Sequence, residues 1–315
     1  MSEPRRVIVT GATGMIGRAL CRALISRDYA VVIFSRDPDA AQAQIPDGAA
    51  YVRWTPGAVG DWAGHLDGAY GVVHLAGAPI AGRRWSASYK REILESRVQG
   101  TRSIVDAIAR ADRRPQVLVS ASGVDYYGDQ GERTVDEQIA PGAGFLSQVC
   151  IAWEREALRA EELGIRTVVF RIGIVLDKAE GALAKLLPPF HLGVGGPILP
   201  GTQWWSWIHR DDLIGLLLAA LEDKRMRGPF NATAPEPVRN RDFAAILGRL
   251  IRRPSWAPVP GFALRILLGE MASPLLIEKQ RALPKRALEL GYQFRYPQLE
   301  PALRSIFPRL FKTMK

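Results

Sequence analysis

Three glycines at positions 11, 14 and 17 are the first residues whose spacing implies chemistry. They lie in the run Thr10-Gly11-Ala12-Thr13-Gly14-Met15-Ile16-Gly17, after a β-branched stretch and ahead of apolar residues at helical spacing. In a strand–turn–helix of this kind, the first glycine takes the tight turn and the second lets backbone approach a pyrophosphate. The third lets helix and strand pack closely. The loop and first helical turn, with Thr13, Met15 and Ile16, then present unpaired N–H groups to phosphates. A second position selects among dinucleotides. An acid at the end of the second strand holds a ribose 2′-hydroxyl, whereas a cation there suits a 2′-phosphate. Here the strand ends Phe34-Ser35-Arg36. Ser35 and Arg36 can grip a phosphate by hydrogen bond and charge, provided the neighbouring Asp37 turns away. The expected cofactor is NADP(H).

The elements that must position these residues read as follows. Strands are expected over 5–10, 30–34, 51–54, 71–75, 116–121 and 166–175, and helices over 15–27, 89–110 and 145–163. Strands alternating with helices at this spacing predict an α/β fold, a doubly wound parallel sheet of Rossmann type. After Leu176 the texture changes. Pro188-Pro189, the glycine-rich 193–201 stretch and Trp204-Trp205-Ser206-Trp207 break the rhythm, so a smaller C-terminal cap is expected. The predicted division is a cofactor-binding domain over 1–176 with a return segment near 207–233. The cap or substrate region covers 177–206 and 234–315.

Composition narrows the partners. The chain has 315 residues, 47% of them hydrophobic, and only two cysteines, Cys21 and Cys150. That excludes a disulfide framework, and the histidines and acids suggest no metal site. No apolar run approaches the roughly 18 residues that span a bilayer, and the start lacks a secretory h-region. A cytoplasmic location is expected. The net charge of +10 comes from scattered Lys and Arg, with doublets such as Arg83-Arg84, Arg113-Arg114 and Arg252-Arg253. Without a basic stripe interleaved with aromatics, neither nucleic acid nor a membrane is the expected partner. A small-molecule substrate is, and a homodimer is left open.

Several segments carry a family resemblance: TGATGMIG at 10–17, Val72-Val73-His74-Leu75-Ala76-Gly77, Glu95-Ser96-Arg97-Val98 and Trp207-Ile208-His209-Arg210-Asp211-Asp212. Later come Phe230-Asn231-Ala232-Thr233-Ala234-Pro235, Leu268-Gly269-Glu270-Met271 and Gly291-Tyr292-Gln293-Phe294-Arg295-Tyr296-Pro297. With them the chain resembles an extended short-chain dehydrogenase/reductase of the NAD-dependent epimerase/dehydratase superfamily. More narrowly, it resembles the atypical "epimerase family protein" branch with a C-terminal domain of unknown function. The resemblance implies cofactor contacts at Ser35, Arg36, Leu75, Ala76, Arg97 and Glu92, with Gly77 closing the fourth strand.

The resemblance also exposes a gap. Typical members use Tyr-x-x-x-Lys, in which a lysine beside the phenol brings the tyrosine toward phenolate. None of the eight tyrosines here has a lysine four residues later. Aligning Glu154 with the superfamily's usual glutamate puts Leu146 at the tyrosine position and Cys150 at the lysine position, and neither can do that work. Replacement candidates are Ser122 for a substrate hydrogen bond and Tyr126 or Tyr127 for proton transfer, with Arg97 as a helping cation. Ser120 joins the cofactor contacts at the end of the fifth strand. Gln203, Trp205 and Trp207, with Trp204, Ser206 and His209, could form a substrate wall or simply pack a core. Two functions are consistent with these residues: an NADP(H)-dependent oxidoreductase or epimerase-like enzyme on a small polar substrate, and an NADP(H)-binding sensor that has lost turnover.

Overall fold

A computed structural model of the chain describes residues 4–277 and 280–308. Two compact units are present. One takes the chain up to Ser122 together with Val149–Phe170 and Ile214–Pro229. The other takes Gly123–Gln148, Arg171–Leu213 and the described residues from Phe230 on. Residues 123–148, which the βα rhythm assigned to the cofactor-binding domain, therefore fall in the second unit.

The main sheet has seven strands: β1 (Arg6–Thr10), β2 (Ala30–Ser35), β3 (Ala50–Arg53), β4 (Gly71–His74), β5 (Val117–Gly123), β7 (Arg166–Ile172) and β11 (Gly228–Ala232). Thr134–Val135 forms the short β6 elsewhere. The strand order is β11-β7-β5-β4-β1-β2-β3, and β1 runs parallel to both β2 and β4, as do β2 with β3 and β4 with β5. After β3 the chain returns to the other side of β1. This order reversal leaves a crevice beyond the carboxyl ends of β1 and β4, the usual ligand position in an open α/β sheet. Such strands are covered on both faces and so read as continuous apolar runs. Val7, Ile8 and Val9 are all buried, and Ile8, Val32, Phe34, Val72 and Leu118 share a core with Ile104 and Ile108. Those two isoleucines lie on the buried face of α3 (Ala87–Arg110), after α1 (Met15–Ile25) and α2 (Pro38–Gln44).

Polar ties fix the sheet. Thr10 Oγ lies 2.8 Å from His74 Nδ1 and also accepts from the Ala76 N–H at 3.3 Å. With the Thr10 proton given to Nδ1, the imidazole is neutral; burial holds its pKa down at about 4, with the charge of Arg97 adding to the effect. Near the first unit's other edge, buried Arg166 donates to the carbonyls of Ala220, Leu221 and Met226 at 2.7, 2.9 and 3.1 Å. These carbonyls lie at and just beyond the end of α6 (Arg210–Glu222), which follows α4 (Phe145–Glu162) and α5 (Gly181–His191). A helix end needs such partners for its last C=O groups.

In the second unit, three short strand pairs replace the open sheet: β8 (Ile174–Leu176) with β10 (Trp207–His209), β9 (Trp204–Trp205) with β12 (Val238–Arg239), and β6 with β13 (Arg281–Ala282). The strand expected over 166–175 is broken at Gly173. A Cβ there would meet the Ser206 carbonyl oxygen at 2.4 Å. The Ile174 N–H donates to that same oxygen at 2.8 Å, which hands the chain to a new partner strand. Pro188-Pro189, read as a break, lie within the end of α5. The core of this unit gathers Leu183, Leu187 and Phe190 of α5 with Phe243 and Leu247 of α7 (Asn240–Leu250). Two motifs distant in sequence meet at Asp212, whose carboxylate accepts from the N–H groups of Arg295 and Tyr296 at 2.7 and 2.9 Å.

Two stability outcomes follow. Arg166→Met would take a donor from three carbonyls, of which Leu221 O keeps the Tyr70 hydroxyl at 3.1 Å, and is expected to cost about 2 kcal/mol, read as a fall in Tm. His74 has a folded pKa below its unfolded value, so the unfolded chain binds the extra proton first as pH falls. Stability should be fully present above pH 6.5 and decline toward about pH 4, by about 3 kcal/mol from this residue. Chemical denaturation from pH 7 to 4 should show a shallower decline for His74→Gln than for the wild type.

Candidate functional site

Gly11 has φ +66, and a Cβ on it would meet Leu75 C and Ala76 N at 2.8 and 2.9 Å. The turn after β1 thus lies directly on the backbone that leaves β4. Gly17 is equally constrained, since its Cβ would fall 2.2 Å from the Gly11 oxygen. Gly14 differs. It is exposed, and a Cβ there would meet only the Gly11 oxygen, at 3.4 Å. Protein packing accounts for Gly11 and Gly17, whereas the space above Gly14 is open. Gly14 is also the N-cap of α1 and supplies no side-chain hydrogen bond, and the first turn holds no acid. The N–H groups of Met15, Ile16 and Gly17 therefore begin a helix whose positive end is not offset by any acid of its own first turn. Thr13 presents its carbonyl to the Arg18 guanidinium. This arrangement suits an anionic phosphate.

At the end of β2, the Ser35 hydroxyl donates to the Asp37 carbonyl at 2.8 Å and accepts from the Asp37 N–H at 3.1 Å. The Asp37 carboxylate caps α2 by accepting from the Ala40 N–H at 3.1 Å. The acid is thereby turned into its own helix. Arg36 is exposed, and its carbonyl accepts from Arg53 at 2.9 Å.

Beyond β4, Gly77 makes room for Arg97: a Cβ would lie 2.9 Å from the guanidinium carbon. Arg97 is buried on α3, donates to the carbonyls of Ala78 and Ile93 at 3.0 Å each, and stacks over the Trp153 ring at 5.0 Å. Glu92 lies on a different side of the helix, since five positions rotate about 140°. It pairs there with Arg83 among exposed side chains. Ser120 is buried opposite His74 in the β4–β5 register, and its hydroxyl donates to Ala121 O at 3.2 Å.

Ser122 carries the most pointed polar contact of the first unit. Its hydroxyl donates to Glu154 Oε1 at 2.7 Å, both residues being buried. With its proton so placed, the Ser122 oxygen has lone pairs left for a donor. Glu154 entered the sequence reading only as an alignment mark; its partnership with Ser122 depends on a strand end and a helix that sequence does not bring together. One turn before it on α4 lies Cys150, buried and outside any disulfide.

The remaining candidates belong to the second unit. Tyr127 is fully buried, donates to Asn231 Oδ1 at 2.7 Å and accepts from Arg171 at 3.0 Å. Burial pushes its pKa up to about 12. Tyr126 is partly exposed and lies under the Arg171 guanidinium, 3.4 Å from carbon to ring centroid. The cation beside these tyrosines is therefore Arg171, a residue the sequence reading passed over. Its signal was a lone charge inside the apolar strand Thr167-Val168-Val169-Phe170-Arg171-Ile172. Gln203, Trp205 and Trp207 are all buried. Gln203 donates to the carbonyls of Ile198 and Leu276 at 3.0 and 3.1 Å. Trp205 packs on Phe243 with centroids 5.1 Å apart, and Trp207 donates to Glu236 O at 2.9 Å. These are core positions. Among the described residues, no group of three or more His, Cys, Asp or Glu is placed to hold a metal ion.

Comparison with known proteins bears on this geometry. Residues 7–232 match the profile of the NAD dependent epimerase/dehydratase family, and residues 259–306 match a domain of unknown function, DUF1731. The chain is 43% identical over 306 residues to an Arabidopsis thaliana protein named epimerase family protein SDR39U1 homolog, chloroplastic, covering 95% of this chain and 86% of that one. It is 38% identical to epimerase family protein YfhF of Bacillus subtilis, covering 95% and 97%. Among solved structures, human epimerase family protein SDR39U1 (isoform 2), crystallised with NADPH, superposes with a TM-score of 0.83 at 34% identity, covering 96% of this chain and 98% of that one. Alignments that run along nearly the whole of both chains, on a doubly wound sheet with this glycine loop, establish that the chain belongs to the NAD dependent epimerase/dehydratase family.

Proposed function

We propose that this chain binds NADP(H) on the Gly11–Gly17 loop and is an oxidoreductase or epimerase-like enzyme for a small polar substrate. The observation that carries the cofactor reading is the start of α1, which has no side-chain cap and no acid in its first turn, with open space above Gly14. The first-turn N–H groups would hold the pyrophosphate. Ser35 and Arg36 would hold a 2′-phosphate, a reading favoured by the Asp37 carboxylate being engaged at α2. The NADPH in the human relative's crystal supports the same choice.

When bound, the nicotinamide supplies a site that accepts or delivers hydride. The chain's own part is to hold and protonate. The Ser122 hydroxyl, committed to Glu154, is suited to accept a hydrogen bond from a substrate O–H or N–H. Between the tyrosines, the partly exposed Tyr126 is the better proton donor, because Tyr127 has both sides of its hydroxyl occupied and a raised pKa. The second reading, a cofactor-binding sensor without turnover, rests on the missing Tyr-x-x-x-Lys pair.

Arg36→Asp is expected to weaken NADPH binding by about tenfold or more, the scale of one charge-assisted contact, while NADH binding changes little. Unchanged NADPH affinity in a titration would remove the 2′-phosphate assignment. A substrate screen following NADPH absorbance separates the two functions. In the enzyme reading, Tyr126→Phe lowers kcat by about a hundredfold with an unchanged Tm. Tyr127→Phe instead lowers stability, by about 1–2 kcal/mol. Full turnover in both Tyr126→Phe and Ser122→Ala would sink these roles. A partner captured only with cofactor, and no turnover, would favour the sensor.

A further inference from the structure

The strand next to Ser35 and Arg36 ends in a cation of its own. β3 closes on Arg53, which lies in register with Ser35 across the parallel β2–β3 pair. Register partners put their side chains on the same face of a sheet, so Arg53 and Ser35 leave the sheet on one side. Two hydrogen bonds carry this pairing into the turn after β2. The Trp54 N–H donates to the Ser35 carbonyl at 2.8 Å, and Arg53 Nη1–H donates to the Arg36 carbonyl at 2.9 Å. Trp54 is buried against Trp62 and anchors the end of β3, while Arg53 and Arg36 are both exposed. The turn is thus held from the neighbouring strand before any ligand arrives.

Folding gives little reason for two cations here. Like charges at adjoining strand ends repel, and among the described residues neither guanidinium meets a carboxylate. Asp37, the acid next in the chain, is engaged at the Ala40 N–H. Ser35 can donate to a phosphate only by giving up the Asp37 carbonyl, which leaves more of the grip to the cations. Arg53 spends one of its five N–H donors on Arg36, and the others take no partner among the described residues. A phosphomonoester brings about two negative charges and three acceptor oxygens, which two planar guanidiniums can share.

We propose that Arg53 is a further specificity-determining residue for NADP(H), donating to the 2′-phosphate from the end of β3 while it holds the Arg36 backbone. The assignment rests on the reading in which Ser35 and Arg36 face that phosphate. Arg53 lies 17 residues beyond Arg36, outside the short window at the end of β2 from which sequence identifies the dinucleotide.

The test is titration of the full chain with NADPH, NADH and 2′,5′-ADP, a fragment that carries the 2′-phosphate without the nicotinamide. Arg53→Gln is expected to weaken NADPH and 2′,5′-ADP by about tenfold, with NADH binding and Tm unchanged. Made on top of Arg36→Gln, the same substitution should lower NADPH affinity further. No further loss in the double variant would overturn the proposal and leave Arg53 as a clamp on the Arg36 carbonyl. An equal loss for NADPH and NADH would overturn it too, since NADH has no 2′-phosphate to lose. NADPH affinity lowered by Arg36→Gln but not by Arg53→Gln would remove the role of Arg53 and keep the 2′-phosphate reading. Affinity unchanged in both single variants would remove that reading as well.

Discussion

The approach of one backbone to another organises the first unit. Where the sheet reverses its order, the turn after β1 lies on the chain leaving β4, and the contact closes only because Gly11 has no Cβ. This contact fixes where α1 starts. Thr10 strengthens it from the side by linking the Ala76 N–H to the neutral His74 ring. From these restraints come the uncapped helix end, the open space over Gly14 and the placing of Gly77 beside Arg97. A phosphate-binding reading of this corner rests on constraints that the protein must satisfy even without a ligand.

Much of this was legible in the sequence because the determinants are local. A β-branched run, three glycines and a helical apolar pattern lie within about twenty residues, and each acts on its immediate neighbours. The end of β2 was legible for the same reason. Asp37 follows Ser35-Arg36 directly, and its turning away reflects a short-range preference of aspartate for helix N-caps.

Other features escaped because their causes are distant in the chain. Nothing within 166–175 announces that the strand changes partner at Gly173; the cause is the Ser206 carbonyl. The aromatic cluster at 204–207 could be a wall or a core on composition alone, and only the packing of Phe243 and the Glu236 carbonyl shows that Trp205 and Trp207 are buried. Arg171 gives no signal in a periodicity that weighs apolar residues, and its partners Tyr126, Tyr127 and Glu137 lie more than thirty residues earlier in the chain. The buried Ser122–Glu154 pair is similar. Each residue has an ordinary explanation alone, and their significance lies in the pairing.

The capping of α2 by Asp37 bears on how this corner could change over evolution. A carboxylate able to face a ribose is already encoded next to Arg36, so a shift of nucleotide preference would seem one rotamer away. That rotamer is occupied by the Ala40 N–H. Freeing it would cost a short helix its N-cap, about 1 kcal/mol, although Pro38 would still favour the helical start, so selectivity and local stability share one side chain. A lineage that recruited Asp37 itself to a ribose would have to give α2 another cap, whereas an acid arising at Ser35 or Arg36 would leave that cap in place.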